Sequence, residues 1–147
     1  MAPRSGGKED DQADVAAFRA EIARVSSLPL VQLAAEVMAR GFGPDGPGGP
    51  GAPGTLEAPA VLSVPRATAD RIAAEFTAAR RSRSVPVQLK VSLDYLIAEG
   101  LQVLEHACLV RVQWHRDIGG LDYAATRLGR AALAQGGVER VLTGGAL

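Results

Sequence analysis

The hydrophobic period changes twice within residues 101–133, LQVLEHACLVRVQWHRDIGGLDYAATRLGRAAL. An apolar helical pattern ends at Cys108, and apolar and polar side chains then alternate as far as His115. A glycine-containing turn separates this alternation from a second one, after which Thr126 opens another helical pattern. A change of period from 3.6 to 2 and back predicts a helix, a β-hairpin and a second helix.

Before the hairpin, four segments carry apolar residues at helical spacing, and the last of them is the pattern that ends at Cys108. They are residues 14–25, 30–41, 68–76 and 86–107. The first has a narrow apolar stripe, which is typical of packing either against a partner subunit or against the chain's own domain. Its residues are Val15, Phe18, Ile22 and Val25. Gly100 interrupts the fourth segment, which predicts a kink or a close helix contact there.

Composition divides the chain into four parts. The polar residues 1–12 predict a disordered tail, and residues 13–42 a helical extension. Residues 43–54 read GPDGPGGPGAPG, so 43–58 are expected to form a Gly/Pro-rich flexible loop. The last part, 59–143, is expected to form the main domain, in which the apolar patch of 61–64 is a candidate strand beside the hairpin.

The order of these elements resembles the winged helix-turn-helix superfamily, in which the hairpin is the wing. The segment LDYAATRLGRAAL is similar to the end of bacterial regulators of the MarR and PadR type. In those proteins the second wing strand ends in an aromatic residue, and a threonine caps a helix containing a glycine and a basic residue. Tyr123, Thr126, Gly129 and Arg130 take these places.

The resemblance covers residues 67–142 at the level of element order. It implies a mainly α fold with a small β-hairpin wing, namely a winged helix-turn-helix domain with an N-terminal helical extension. It would make residues 67–79 the first helix of the helix-turn-helix and 86–107 the recognition helix, whose N-terminal residues enter the major groove.

Charge is sorted along this region in a way that suits DNA contact. The candidate DNA-binding residues are Arg80, Arg81, Arg83, Gln88, Lys90, Arg111, His115 and Arg116. Guanidinium groups bind phosphate in a bidentate geometry, and Gln88 is the candidate for base edges. Glu99 and Glu105 come later in the same helix, away from a duplex. Asp94 and the apolar residues at the helix start count against DNA contact.

We therefore expect a small bacterial transcription regulator that binds double-stranded DNA, as a homodimer through the helix of residues 14–25. The alternative is a winged-helix adaptor that binds a protein and no nucleic acid. Such an adaptor would use Trp114 or the N-terminal helix as its apolar anchor, because exposed aromatic residues are frequent interface hot spots.

The net charge is compatible with either function. The chain has 16 basic and 16 acidic residues, and residues 61–147 have a net charge of +3. This mildly basic part permits nucleic-acid binding without requiring it.

Catalysis and metal binding are not expected. The two histidines, His106 and His115, lie on different elements. Cys108 follows His106 by two residues, and side chains at this spacing on a helix point in different directions. We therefore predict no enzyme activity, no cofactor and no metal site, and Cys108 is interpreted as a small core residue.

The remaining composition indicates a cytoplasmic protein. A single cysteine fits a reducing compartment, and the polar start of the chain has no apolar segment like that of a signal peptide. No apolar run approaches the roughly 18 residues of a membrane helix. The predominance of arginine over lysine, with abundant alanine, glycine and proline, resembles proteins from GC-rich bacterial genomes.

Overall fold

The structure is a computed structural model of the chain, and it describes residues 6–50, 66–115 and 120–147. Its elements, in chain order, are α1 (Gly6–Ser26), α2 (Leu30–Phe42), α3 (Ala69–Phe76), a short 3₁₀ helix (Ala78–Arg81), α4 (Val87–His106), β1 (Val110–His115), β2 (Gly120–Ala125), α5 (Arg127–Ala134) and α6 (Val138–Leu142). The described chain is thus mainly helical with one small antiparallel hairpin, which confirms the coarse fold class expected from the change of period.

Helix α4 is the centre of the core. Its inward side chains Leu93, Ile97, Leu101 and Leu104 have no exposed surface. Helix α2 packs along α4, so residues 30–42 belong to the same core and not to an extension outside it.

The two helices approach closely at Gly100. A Cβ atom built on Gly100 would lie 2.8 Å from Cγ2 of Val37, a separation that real Cβ atoms essentially never show. Of the two alternatives raised by Gly100, a kink or a close helix contact, the structure shows the close contact.

The apolar stripe of α1 is covered by the chain itself. Phe18 and Val25 are fully buried, and Val15 and Ile22 pack against the same core. Arg24 also ties α1 to α2, with its Nη2 atom 2.8 Å from Oε2 of Glu36. The stripe therefore packs on its own domain, and the expected homodimer loses the exposed surface from which it was inferred.

Helix α1 begins earlier than the sequence pattern indicated. It starts at Gly6, so residues 6–12 are helical and the prediction of a disordered tail is wrong for them. The segment KEDDQ contains good helix formers, and its carboxylates interact favourably with the positive end of the helix dipole. Residues 1–5 lie outside the described part of the chain.

The Gly/Pro-rich segment is folded as far as residue 50. Gly48 donates a hydrogen bond from its backbone N to the Gly41 carbonyl at 2.7 Å, and Gly46 donates to the Gly43 carbonyl at 3.0 Å. A Cβ atom on Gly48 would lie 2.5 Å from Cδ1 of Phe42. The glycines therefore permit tight turns packed against the end of α2. Within 43–50 the predicted loop consists of hydrogen-bonded turns, while its flexibility stays a prediction; residues 51–58 lie outside the described ranges.

A segment outside the hairpin pairs with its second strand. Strands β1 and β2 pair in register from Val110 opposite Ala125 to His115 opposite Gly120. On the other edge of β2, Ala67 and Tyr123 exchange two backbone hydrogen bonds of 2.8 Å. A third segment therefore pairs with the hairpin at Ala67, whereas the strand predicted at 61–64 lies outside the described residues.

Cys108 ends α4 in a left-handed conformation, with φ of 59°. The Cys108 N–H donates to the Glu105 carbonyl at 2.9 Å, and the Leu109 N–H donates to the Leu104 carbonyl at 2.8 Å. This pair of bonds is the Schellman helix terminus, which turns the chain toward β1. Leu109 is fully buried, whereas Cys108 is exposed. The interpretation of Cys108 as a core residue is therefore wrong.

We predict that Cys108→Gly raises the free energy of unfolding by about 0.5–1 kcal/mol. Glycine removes the steric penalty of the left-handed backbone, and part of this gain is offset by its greater freedom in the unfolded chain. Urea denaturation would measure the change. Cys108→Ala is the control, because it keeps the Cβ atom and should give no comparable gain; equal stability of the two variants would contradict the prediction.

Candidate nucleic-acid interface

Two buried side chains anchor the loop that joins α3 to α4. Thr77 precedes the 3₁₀ helix and accepts a hydrogen bond from the Ala79 backbone N at 3.3 Å. Ala79 and Val85 are 8% and 3% exposed and pack into the core. Between these anchors, Arg81 and Arg83 are exposed. The loop thus presents two guanidinium groups to solvent immediately before α4, a segment called the basic loop below (residues 81–83).

The side chain of Arg80 is paired with a carboxylate, unlike the exposed side chains of Arg81 and Arg83 in the basic loop. Its Nη2 atom lies 2.8 Å from Oδ2 of Asp94, and its Nε donates to Oδ1 at 3.1 Å. The two side chains are 19% and 27% exposed, and the hydrogen bonds that Arg80 donates to the Asp94 carboxylate raise the pKa of Arg80. Arg80 therefore joins the 3₁₀ helix to α4 and at the same time compensates the charge of Asp94.

The outward face of α4 carries both polar and apolar side chains. Gln88 and Ser92 are exposed, and the Ser92 hydroxyl donates to the Gln88 carbonyl at 2.9 Å. Lys90 is only partly exposed, on the flank of this face. The apolar residues at the helix start were evident from the sequence, but their exposure was not predicted. Val87 is 69% exposed and Val91 42%. The sequence feature that could have predicted this exposure is their spacing of four residues, which places them together on a side of the helix away from the leucine stripe.

Carboxylates lie beside the basic loop. The hydroxyl of Ser84, the residue after Arg83, is hydrogen-bonded to the Asp11 carboxylate. Helix α1, which carries Asp11, also contacts the 3₁₀ helix, and its first turns include Glu9 and Asp10. These carboxylates reduce the positive potential around the loop, so α1 moderates the attraction that the basic loop exerts on an anion.

The hairpin has two different faces. Arg111 is exposed and lies opposite the buried Ala124. Trp114 is 60% exposed and lies opposite Leu121, which is 45% exposed. Side chains of directly paired residues lie on the same face, so Trp114 and Leu121 form an exposed apolar pair.

The structure brings several of the candidate residues together and leaves others undetermined. Arg81, Arg83, Gln88 and Lys90 lie along the basic loop and the start of α4, and Arg111 lies on the hairpin. His115 is the last paired residue of β1, but its side chain is not among those described. Arg116 lies outside the described ranges, as does the hairpin turn.

Other kinds of site find no support in the described ranges. No group of three or more His, Cys, Asp or Glu side chains in them is placed to hold a metal ion. Within the same ranges, no helix has the length and apolar character needed to cross a membrane. Every buried side-chain nitrogen or oxygen of the described residues has a hydrogen-bond partner, so none is left over to mark a ligand site.

Comparison of the chain with protein-family models, with curated proteins and with solved structures found no match. The resemblance to the MarR and PadR regulators is carried by residues and element order alone, and it stays a prediction.

Proposed function

We propose that the chain is a winged helix-turn-helix protein that binds double-stranded DNA and acts as a transcription regulator. One observation carries this proposal. Residues 78–98 contain a single acidic residue, Asp94, and the ion pair with Arg80 compensates its charge. The exposed surface formed by the basic loop and the N-terminal half of α4 therefore offers cations and hydrogen-bonding groups to a polyanion.

The arrangement of the elements supports the fold assignment. Helices α3 and α4 are consecutive and contact each other, and α4 leads through the turn at Cys108 into the hairpin. Ala67, just before α3, pairs with the second strand of the hairpin. A helix pair followed by a hairpin whose second strand is central is the arrangement expected of a winged helix-turn-helix.

In this proposal the contacts divide into two kinds. Arg81, Arg83 and Arg111 bind phosphates, which sets the position of the protein on the duplex without reading its sequence. The first turns of α4 enter the major groove, where Gln88 and Ser92 reach base edges. Arg80 is not assigned to phosphate, because its guanidinium group is held by Asp94.

The proposal is tested by titrating the full chain with a fluorescent random-sequence duplex at about 50 and 200 mM salt, with anisotropy as the signal. We expect micromolar binding at low salt that is lost at high salt, because neutralised phosphates release counterions. Absence of binding at the lower salt concentration would reject the proposal.

We predict that Asp94→Asn strengthens duplex binding. The change removes the carboxylate to which Arg80 donates its hydrogen bonds and leaves Arg80 with the weaker attraction of Asp70. The slope of log K against log salt should therefore steepen by up to about 0.9 if Arg80 then contacts a phosphate. Anisotropy titrations over several salt concentrations measure the slope. Glu105→Gln makes the same change in net charge at the far end of α4. An equal effect of both variants would show that total charge, and not Arg80, is responsible.

A second candidate function is the protein-binding adaptor. It is favoured by the exposed pair of Trp114 and Leu121, whereas the apolar stripe of α1 is covered by the core and cannot serve as the anchor. An adaptor would lose its partner in the Trp114→Ala variant and would be insensitive to changes in the basic loop. A DNA-binding protein should show the opposite pattern.

A further inference from the structure

We infer that Val87 and Val91 read the 5-methyl groups of pyrimidines in the major groove, so that the protein prefers duplexes containing thymine or 5-methylcytosine. This inference rests on the proposed function and deepens it. It names the chemical feature of the duplex that α4 recognises.

The two valines do not belong to the side of α4 that packs into the core. Its leucine and isoleucine stripe already fills the core, and Leu93 and Ile97 have no exposed surface. Val87 and Val91 lie on the opposite side and remain 69% and 42% exposed. Apolar side chains left in solvent on the first turns of a helix, beside exposed polar groups, suit a partner surface that itself mixes polar and apolar groups.

The major groove is a surface of this kind. Each base pair presents hydrogen-bonding groups there, and among the four bases only thymine carries a methyl group. Residues four apart on a helix lie about 6 Å apart along its axis, and base pairs are about 3.4 Å apart. The two valines can therefore contact methyl groups one or two base steps apart. Gln88, between them in sequence, can pair with the N6 and N7 atoms of adenine.

Charge complementarity favours DNA over a protein as the occupant of this face. Arg81 and Arg83 stand immediately before α4 and Lys90 lies between the two valines in sequence, so cations border the apolar atoms on the exposed side. A partner that is a polyanion with methyl groups between its charges matches this arrangement. A hydrophobic protein helix would leave the three cations unpaired.

The test compares duplexes that differ only in pyrimidine methyl groups. An alternating A·T duplex is prepared with thymine or with deoxyuridine, and a G·C duplex with cytosine or with 5-methylcytosine. Binding of the full chain is measured by anisotropy at about 50 mM salt. Burial of one methyl group is worth about a fourfold change in affinity, so two contacts predict about a fifteenfold preference for the methylated duplex of each pair.

The Val87→Ala, Val91→Ala double variant should bind the methylated and unmethylated duplexes equally. Both valines are exposed, so its thermal unfolding should stay close to that of the parent chain. Leu128→Ala removes an apolar side chain that is 40% exposed on α5, away from the proposed groove contact, and should leave the preference unchanged.

The outcomes separate the inference from the proposed function. Equal affinity of the parent chain for both members of each pair, with salt-dependent binding retained, would overturn the methyl readout alone. A preference that survives the double valine variant would overturn the assignment to these residues. Failure to bind any duplex at low salt would overturn the proposed function and the inference together.

Discussion

Replacing Arg81 and Arg83 together with alanine is expected to flatten the salt dependence of duplex binding by about 1.8 in the slope of log K against log salt. Each phosphate contact contributes about 0.9 to this slope. Both side chains are exposed in the basic loop, and neither has an ion-pair partner among the described residues, so their charges are available to phosphate. Anisotropy titrations at four or more salt concentrations would measure the slopes.

The matched control is the double variant Arg127→Ala, Arg140→Ala. It also removes two positive charges, but from exposed positions in α5 and α6. Net charge alone would affect both double variants alike, whereas specific contact by the basic loop predicts a large effect of the first and little of the second. A basic-loop variant with an unchanged slope would remove the main support for DNA binding. If Trp114→Ala then abolished partner capture, the adaptor function would be favoured.

Gly129→Ala is expected to lower the free energy of unfolding by about 3 kcal/mol, at the upper end of the range for overpacked cores. A Cβ atom on Gly129 would lie 2.0 Å from the Leu109 carbonyl oxygen and 2.9 Å from Cε of Met38. The first contact is with backbone, which no rotamer change can relieve. The start of α5 cannot move away easily, because Thr126 accepts a hydrogen bond from Gly129 N at 3.0 Å and its own N–H donates to Leu109 at 3.0 Å.

Urea denaturation of Gly129→Ala and Gly7→Ala would test this prediction. Gly7 lies in α1 with nothing within 4 Å of the position a Cβ atom would take. The change at Gly7 should therefore stabilise slightly, by up to about 1 kcal/mol, because alanine is the better helix former. Similar effects of the two substitutions would show that the region around Gly129 relaxes and would contradict the expected clash.

The local elements around the hairpin were predictable from the sequence. A change of hydrophobic period identifies helix α4, the two strands and α5, because the period reflects which side chains face one core within a few turns. The Thr126 cap is equally local. Its hydroxyl accepts from an N–H three residues ahead, and α5 begins at the next residue. The close contact at Gly100 was one of two alternatives that its place in a long helix raised.

The candidate DNA-binding surface was less predictable, because its properties depend on residues that are distant in sequence. Arg80 reaches Asp94, fourteen residues later, and this pair removes both a candidate phosphate contact and an objection to DNA binding. The exposed state of Val87 and Val91 depends on which side of α4 the other helices cover. Composition alone does not show this, since an apolar residue suits a core and a contact surface equally well.

The sequence by itself determined the class of elements and their order, from periodicity and glycine placement within short segments. Only the tertiary structure decided that the stripe of α1 is buried in its own core, that the glycines of 43–50 form packed turns, and that Cys108 is exposed at a helix end. The physical reason is that burial depends on packing between elements, and hydrophobic attraction is non-directional. An apolar stripe specifies that it will be covered, but the choice between a partner and its own chain depends on what the rest of the fold places against it.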